Sequence, residues 1–317
     1  MFIYTYASHE EEMDLAKLEL RTLFGFSPAG GLFIDISNEA LSPSRSPFIK
    51  RRIDVVAHSD DLEGSGGLLN QLRTVALEGR TFKIVFSGSD ELFTYDDKRQ
   101  LERMAGARVT GTAAMRNPEM TFGLAKLGGR WYFGPCEDNE SLWLAHQSKP
   151  QNYSTALNTR TARALVNIAA GRGHAKHDDG SQAFRMIDPC CGMGTVLIEA
   201  LSMGFMIDGF DRNPLAVRGA RVNLAHFGYE NNVALADMRL LQGCYDAAIM
   251  DMPYNLCSVL PEEESLSMLQ SLRHLARRAV IVTTMPIEGQ LEKTPWIKID
   301  GAIVRKGSFT RYVTVVE

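Results

Sequence analysis

The period of the apolar positions changes near residue 150. Before it, short alternating runs intersperse with amphipathic stretches. Phe2–Tyr6 reads as a strand, and residues 10–24 read as a helix that acidic residues begin and Gly25 ends. Strands are expected at 33–36, 53–57 and 81–86, and helices at 67–77 and 90–104. Three β-like runs follow at 108–114, 120–127 and 130–134, the last two a hairpin about Gly128-Gly129. Residues 136–154 are polar and aromatic without a clear period, as in a linker, and no repeat of 20 to 50 residues recurs.

Beyond the linker a helix is expected at 156–170 and a polar loop at 171–182. Buried strands at 184–188, 206–210, 234–236, 245–250 and 279–284 then alternate with helices at 195–203, 214–227 and 266–277. Such alternation specifies an α/β domain, a Rossmann-like parallel sheet covered by helices on both faces. The runs 296–305 and 309–316 flank Lys306-Gly307-Ser308 and predict a C-terminal antiparallel hairpin on the sheet edge. The expected organisation is an α+β region over 1–135, a linker over 136–155 and the α/β domain over 156–317.

Composition narrows the class. The 317 residues are 45% hydrophobic and 23% charged, near the globular average, which excludes a disordered or fibrous chain. No apolar run approaches the 18 or so residues that cross a bilayer. Residues 1–12 lack the basic start and apolar core of a leader, so a cytoplasmic location is expected. Five cysteines, without C-x-x-C spacing and with Cys190 and Cys191 adjacent, read as reduced thiols, and His174 and His177 lack a third ligand, so no metal is expected. A net charge of -4 argues against gripping nucleic acid by bulk electrostatics, so any such site must be local. Arg160 and Arg163, one helical turn apart, read as facing either nucleic acid or solvent, with solvent preferred, and His146 reads as either a phosphate contact or a packed linker residue.

Chemistry concentrates where strands end. Asp188-Pro-Cys-Cys-Gly-Met-Gly-Thr195 leaves a buried strand and opens a helix, which places Gly192 and Gly194 where backbone approaches a ligand. Leu197 stands where a dinucleotide fingerprint needs its third glycine. Asp211, about 20 residues on at the end of the second strand, suits a ribose with free hydroxyls. Asp237 ends the third strand, where it serves either as a cap or as an acceptor for an exocyclic adenine amine. The fourth strand delivers Asp251-Met-Pro-Tyr-Asn255 to the same edge. The lone pair of a nucleobase amine is delocalised into its ring, so methylating it requires acceptors that hold the amine protons. Asp251 and the carbonyl of Met252 or Pro253 can supply them. Pro253 stiffens the loop, and Tyr254 offers a face on which an extruded base can stack.

Taken in order, these motifs resemble class I S-adenosylmethionine-dependent amino-methyltransferases. More narrowly they are similar to the tRNA guanine-10 N2-methyltransferase family of archaea and eukaryotes and its bacterial relatives. Arg130-Trp-Tyr-Phe-Gly134, His146-Gln-Ser-Lys-Pro150 with Tyr153-Ser154, Arg163-Ala-Leu-Val-Asn167 and Gly307-Ser-Phe-Thr-Arg-Tyr312 extend the likeness. The N-terminal region, above all 82–86 and 116–134, is similar to a THUMP RNA-binding domain behind a ferredoxin-like segment. The resemblance implies S-adenosyl-L-methionine held by Asp188, Cys190, Gly192, Gly194, Asp211, Asp237 and Asp251. It implies catalysis by Asp251, Pro253 and Tyr254, and a guanosine N2 amine in tRNA as the target. Ribosomal RNA guanine, adenine N6 of nucleic acid and an inactive RNA-binding homologue stand as alternatives. Met252 and Asn255 depart from the Pro and Gly more common in the family, and Cys191 takes a place often held by a similar small residue.

Overall fold

The computed structural model describes residues 1–26, 34–75, 77–153, 156–172, 184–253, 260–307 and 309–317. They form two compact units, Met1–Ala7 with Pro28–Glu140, and Ser8–Ser27 with Ser141–Glu317.

The first unit is α+β. Its strands are β1 (Phe2–Tyr6), β2 (Ile34–Ser37), β3 (Ile49–Asp54), β4 (Ala57–Ser59), β5 (Phe82–Ser89), β6 (Met120–Leu127) and β7 (Arg130–Asp138). They lie in the order β2-β1-β3-β7-β6-β5, with β4 paired to β7. The pairing of β5 with β6 is parallel, and the other pairings are antiparallel. Between β1 and β2 the chain leaves this unit to place α1 (Met13–Phe24) in the second. Helices α2 (Leu68–Gln71) and α3 (Tyr95–Gly106) complete the first unit. Leu68, Leu72, Phe82, Phe122, Trp131 and Phe133 share its core. The β6–β7 hairpin turns on Gly128 and Gly129, whose φ values of 60° and 76° are those of a two-residue type I′ turn.

Three expectations in this unit shift. Residues 108–114 form no strand and contribute a single bridge, Phe82 to Ala113, with Gly111 at φ 157° in the middle of the run. The helix expected at 67–77 stops at Gln71 and continues as a 3-10 turn over Leu72–Thr74. The strand expected at 53–57 begins at Ile49. Lys50, Arg51 and Arg52 hid its alternation, because Arg51 binds Asp138 and Arg52 binds Asp54 at the sheet surface.

The second unit holds β8 (Arg185–Asp188), β9 (Met206–Asp211), β10 (Val233–Leu235), β11 (Tyr245–Asp251), β12 (Ala276–Thr283), β13 (Lys298–Lys306) and β14 (Phe309–Val316), in the order β10-β9-β8-β11-β12-β14-β13. The first five are parallel, and β14 lies antiparallel between β12 and β13. This is the expected Rossmann-like sheet with its C-terminal hairpin. Its helices are α4 (Thr159–Ala170), α5 (Thr195–Ser202), α6 (Pro214–His226), α7 (Glu262–Leu275) and the short α8 (Glu288–Leu291). On one face Ala248, Met250 and Met252 pack with Leu269, Leu272 and Leu275 of α7.

Helix α1 belongs here because it is anchored here. Leu15 and Leu18 are buried, Asn167 of α4 donates to the buried Glu19, and Arg21 makes a bidentate pair with Asp300 of β13 at 2.6 Å. Strand order reverses between β8, which leads out to β9, and β11, which leads to β12. The carboxyl edge there is the switch point at which open α/β sheets hold ligands. Among the described residues no helix is long and apolar enough to cross a membrane.

Candidate active site at the carboxyl edge of the second sheet

Strand β8 ends at Asp188, and the chain passes through Cys190, Cys191 and Gly192 before Gly194 opens α5. The two glycines serve different ends. Gly194, at φ 79°, would bring a Cβ to 3.2 Å from that of Ala220 and so sets the packing of α6. Gly192, at φ 52°, has no atom within 4 Å of a notional Cβ, so the space over it is open. Asn223, fully buried in α6, fixes this loop by donating to the Met193 carbonyl, and its Oδ1 accepts from the amide of Gln151. An Asn on the apolar side of an amphipathic helix is the sequence signal for such a tie.

Asp211 ends β9 and braces the same loop. Its Oδ2 accepts from the Gly192 amide at 2.9 Å and its Oδ1 from the Asn213 amide at 2.8 Å. A carboxylate has about four acceptor directions, so both oxygens keep capacity for ribose hydroxyls. Asp237 follows β10 and does cap a turn, accepting from the Arg239 amide at 3.0 Å, while the Arg239 guanidinium clamps both its oxygens. That clamp drops the Asp237 carboxyl to about 2. Asp237 thus stands as a permanent anion whose aim Arg239 sets.

Asp251 ends β11, and Met252 continues by donating its amide to the Val282 carbonyl. Asp251 is half-buried as a residue, but its Oδ1 is closed off from solvent and has no hydrogen-bond partner among the described residues. Burial pushes its carboxyl up to about 7, with Arg311 acting in the opposite sense. Asp188 is buried as well. Burial raises its carboxyl well above the ordinary range and the charges of Asp251 and Asp211 raise it further, against a bond from the Cys190 amide. Burial also raises the thiols of Cys190 and Cys191, which leaves them unionised at neutral pH and unsuited to nucleophilic work.

Two adjoining clefts open on this edge, of about 280 and 150 Å³, and both are lined by Tyr153, Cys190, Gly192, Asp251 and Pro253. The larger runs over Asp211, Asp237 and Met238, and the smaller reaches Asp188 and Thr195. A cleft of about 400 Å³ beside α1 and β13 contains none of these residues. The two arginines that line the larger cleft are committed, Arg239 to Asp237 and Arg212 to Glu264 at 2.8 Å. The edge therefore favours a ligand carrying positive charge and repels a pyrophosphate. The structure thus brings Asp188, Cys190, Gly192, Gly194, Asp211, Asp237, Asp251 and Pro253 to one edge, while Tyr254 lies outside the described residues, as do Asn255, His174 and His177.

Other expectations change. Arg163 does not face solvent: it is buried and donates to Glu199 of α5 at 2.9 Å. His146 is a packed residue, its Nδ1 at 2.7 Å from the same carboxylate. Arg160 pairs with Glu12. Sequence reasoning missed Arg239, which clamps Asp237 two residues before it, and Glu264, whose pair with Arg212 joins α7 to the loop after β9, and it gave Arg311 no role.

Residues 146–280 match the UPF0020 family, described as RMKL-like, methyltransferase domain. A tRNA (guanine(10)-N2)-dimethyltransferase of Methanothermobacter thermautotrophicus is 28% identical over 181 residues, 53% of this chain and 51% of that protein. One of the same name from Pyrococcus abyssi is 28% identical over 149 residues, 45% of this chain and 40% of that protein. The chain thus spans about half the length of these curated relatives or less. The crystal structure of TrmN from Thermus thermophilus superposes with a TM-score of 0.49 at 17% identity, covering 100% of this chain and 99% of that one.

Proposed function

We propose that this protein transfers a methyl group from S-adenosyl-L-methionine to the N2 amine of a guanosine in tRNA. The observation that carries the reading is the acid-lined carboxyl edge, with Asp251 presenting a buried oxygen that has no hydrogen-bond partner among the described residues. The residues fit this cofactor: Gly192 leaves room for it, Asp211 can take its ribose hydroxyls, Asp237 can accept from its adenine amine, and Asp188 and Asp251 suit its positive charge. Bound there, the cofactor supplies an electrophilic methyl on a sulfonium. Asp251 and the carbonyl before or at Pro253 then hold the amine protons, and the rigid proline keeps that carbonyl in place. Transfer of that methyl to the amine would break its bond to sulfur and leave a neutral thioether; the amine would then give up one proton, which the Asp251 carboxylate would receive. Tyr254 is the stacking face in this reading. The tRNA substrate follows the matched relatives' names. The first unit, THUMP-like by resemblance, would hold the RNA.

Titration calorimetry with S-adenosylmethionine, followed by mass spectrometry of nucleosides from tRNA incubated with protein and cofactor, tests the reading. Cofactor binding and a mass gain on guanosine are expected. Binding of a nicotinamide dinucleotide with indifference to S-adenosylmethionine overturns it. Replacing residues 28–140 by a flexible linker, which leaves α1 in place, should abolish RNA methylation and preserve cofactor binding. Undiminished methylation would remove the RNA-holding role from the first unit.

A further inference from the structure

The mechanism leaves one question open: what keeps Asp251 ionised in so acidic a place. Sheet register identifies the group. Asp251 pairs with Val282 of β12, and Val282 pairs with Val313 of β14, so the three side chains share one face of the sheet. Arg311 is two residues before Val313 and therefore points to that same face. Because β14 runs antiparallel, stepping from Val313 through Tyr312, the partner of Thr283, to Arg311 moves toward the carboxyl edge where Asp251 ends its strand. With only β12 between them, the two backbones are about 10 Å apart, within the reach of an extended arginine. Arg311 is 8% exposed, so its charge is held against the protein rather than in water.

We propose that Arg311 is a positioning residue for the reaction: it holds Asp251 in the carboxylate form that accepts a proton from the target amine. The proposal rests on the methyltransferase reading. The groups that face Asp251 from other elements are acidic or otherwise engaged. Asp188 and Cys190 stand at the end of β8, Asp211 at the end of β9, and Glu264 on α7 binds Arg212. Asp237 holds Arg239. Arg311 is the charge that lowers the Asp251 carboxyl against its burial. Val304, its partner on β13, is apolar and buried, and the Arg311 guanidinium lies over the Phe309 ring at 4.8 Å. The small cleft beside it is also lined by His9, Glu11, Glu12, Asn158 and Arg305, with Glu12 joined to Arg160 and Glu11 accepting from the Gly307 amide.

The test uses the full chain and the variants Arg311→Gln and Arg311→Lys. Carboxylate infrared difference spectra, assigned with Asp251→Asn, give the midpoint of Asp251 without any turnover. The expected result is a midpoint raised by about one pH unit in Arg311→Gln and little changed in Arg311→Lys. Single-turnover methyl transfer to unmodified tRNA should show the acid limb of its pH–rate profile moving up by the same amount in Arg311→Gln, with the rate recovering at alkaline pH. An unmoved midpoint, or a loss of rate equal at every pH, overturns the proposal. If the midpoint moves and the wild-type chain methylates no RNA, the coupling stands and the functional reading fails.

Discussion

The two units place their charged groups differently. In the first, Arg51 with Asp138, Lys126 with Glu91 and Arg130 with Asp60 are pairs in which one or both partners remain in contact with water. The apolar core beneath, built on Phe82, Phe122 and Phe133, carries the fold without them. In the second unit charge goes inside. Glu199, at 0% exposure, takes hydrogen bonds from His146 and Arg163, while Asp188 and Asp251 are brought together at one edge, where neither is hydrogen-bonded to a cation among the described residues. The first arrangement is cheap and nearly neutral in energy. The second divides into a buried cluster whose charges are paired and an edge where Asp188 and Asp251 are buried without a cation bound to either among the described residues. Unmatched burial opposes folding, so its presence marks the edge as the part shaped by a ligand.

The largest expected effect lies in the matched cluster. Glu199→Ala strands the Arg163 guanidinium in the interior and should lower unfolding free energy by about 3–5 kcal/mol in urea titrations. Because Glu199 sits on the helix that Gly194 opens, cofactor affinity should fall with stability. A loss below about 1 kcal/mol would mean that the cluster is solvated after all.

At the unmatched edge the same kind of change should act in the opposite sense on stability. Asp251→Asn should reduce single-turnover methyl transfer by roughly 10² to 10³. It should also make the protein more stable at pH 8. The folded carboxyl titrates near 7, above its ordinary 3.8, so the native state binds the extra proton between about pH 4 and 7. Wild type therefore loses stability as pH rises through that window, and Asn does not titrate. The unfolding free energies should coincide near pH 4 and diverge to a gain of roughly 2–4 kcal/mol for Asn above pH 7. A variant less stable than wild type at pH 8 would make Asp251 a structural carboxylate.

Legibility in the sequence follows the same division. The second sheet shows through because its strands are continuous apolar runs, such as Ala247–Ala248–Ile249–Met250, ended by acids at Asp188, Asp211 and Asp251. Their order along the chain carried the site. The first unit was harder to read, since β3 carries Lys50, Arg51 and Arg52 in a row, and the acids that neutralise the two arginines lie on another strand or at the strand's own end. Helix α1 reads correctly as a helix and wrongly as part of the first region, because Glu19 and Arg21 look like solvent-facing positions until Asn167 and Asp300 are set beside them. Arg311 lay within a motif already noticed, but its relation to Asp251 depends on register across two strand pairings.

Between the extremes stands Asp211, which is both a brace and a candidate ligand. Asp211→Asn keeps an acceptor for one of the two loop amides and removes the charge, so cofactor affinity should fall by about 1–3 kcal/mol while the melting temperature changes little. Equal binding by calorimetry would leave Asp211 a brace alone.

The smallest effect should come from the first unit. Lys126 and Glu91 form a pair at 2.7 Å, with side-chain exposures of 18% and 47%. Water screens the carboxylate, and holding two flexible side chains together opposes the attraction. Lys126 also lies over the ring of Trp131 at 5.3 Å, a contact that survives the loss of Glu91. Glu91→Gln should therefore change unfolding free energy by about 0–1 kcal/mol, and the difference should shrink further in 1 M salt, where screening acts within about 3 Å. A change as large as that for Glu199→Ala would show that the first unit, too, depends on matched charge, and the contrast between the two units would fail.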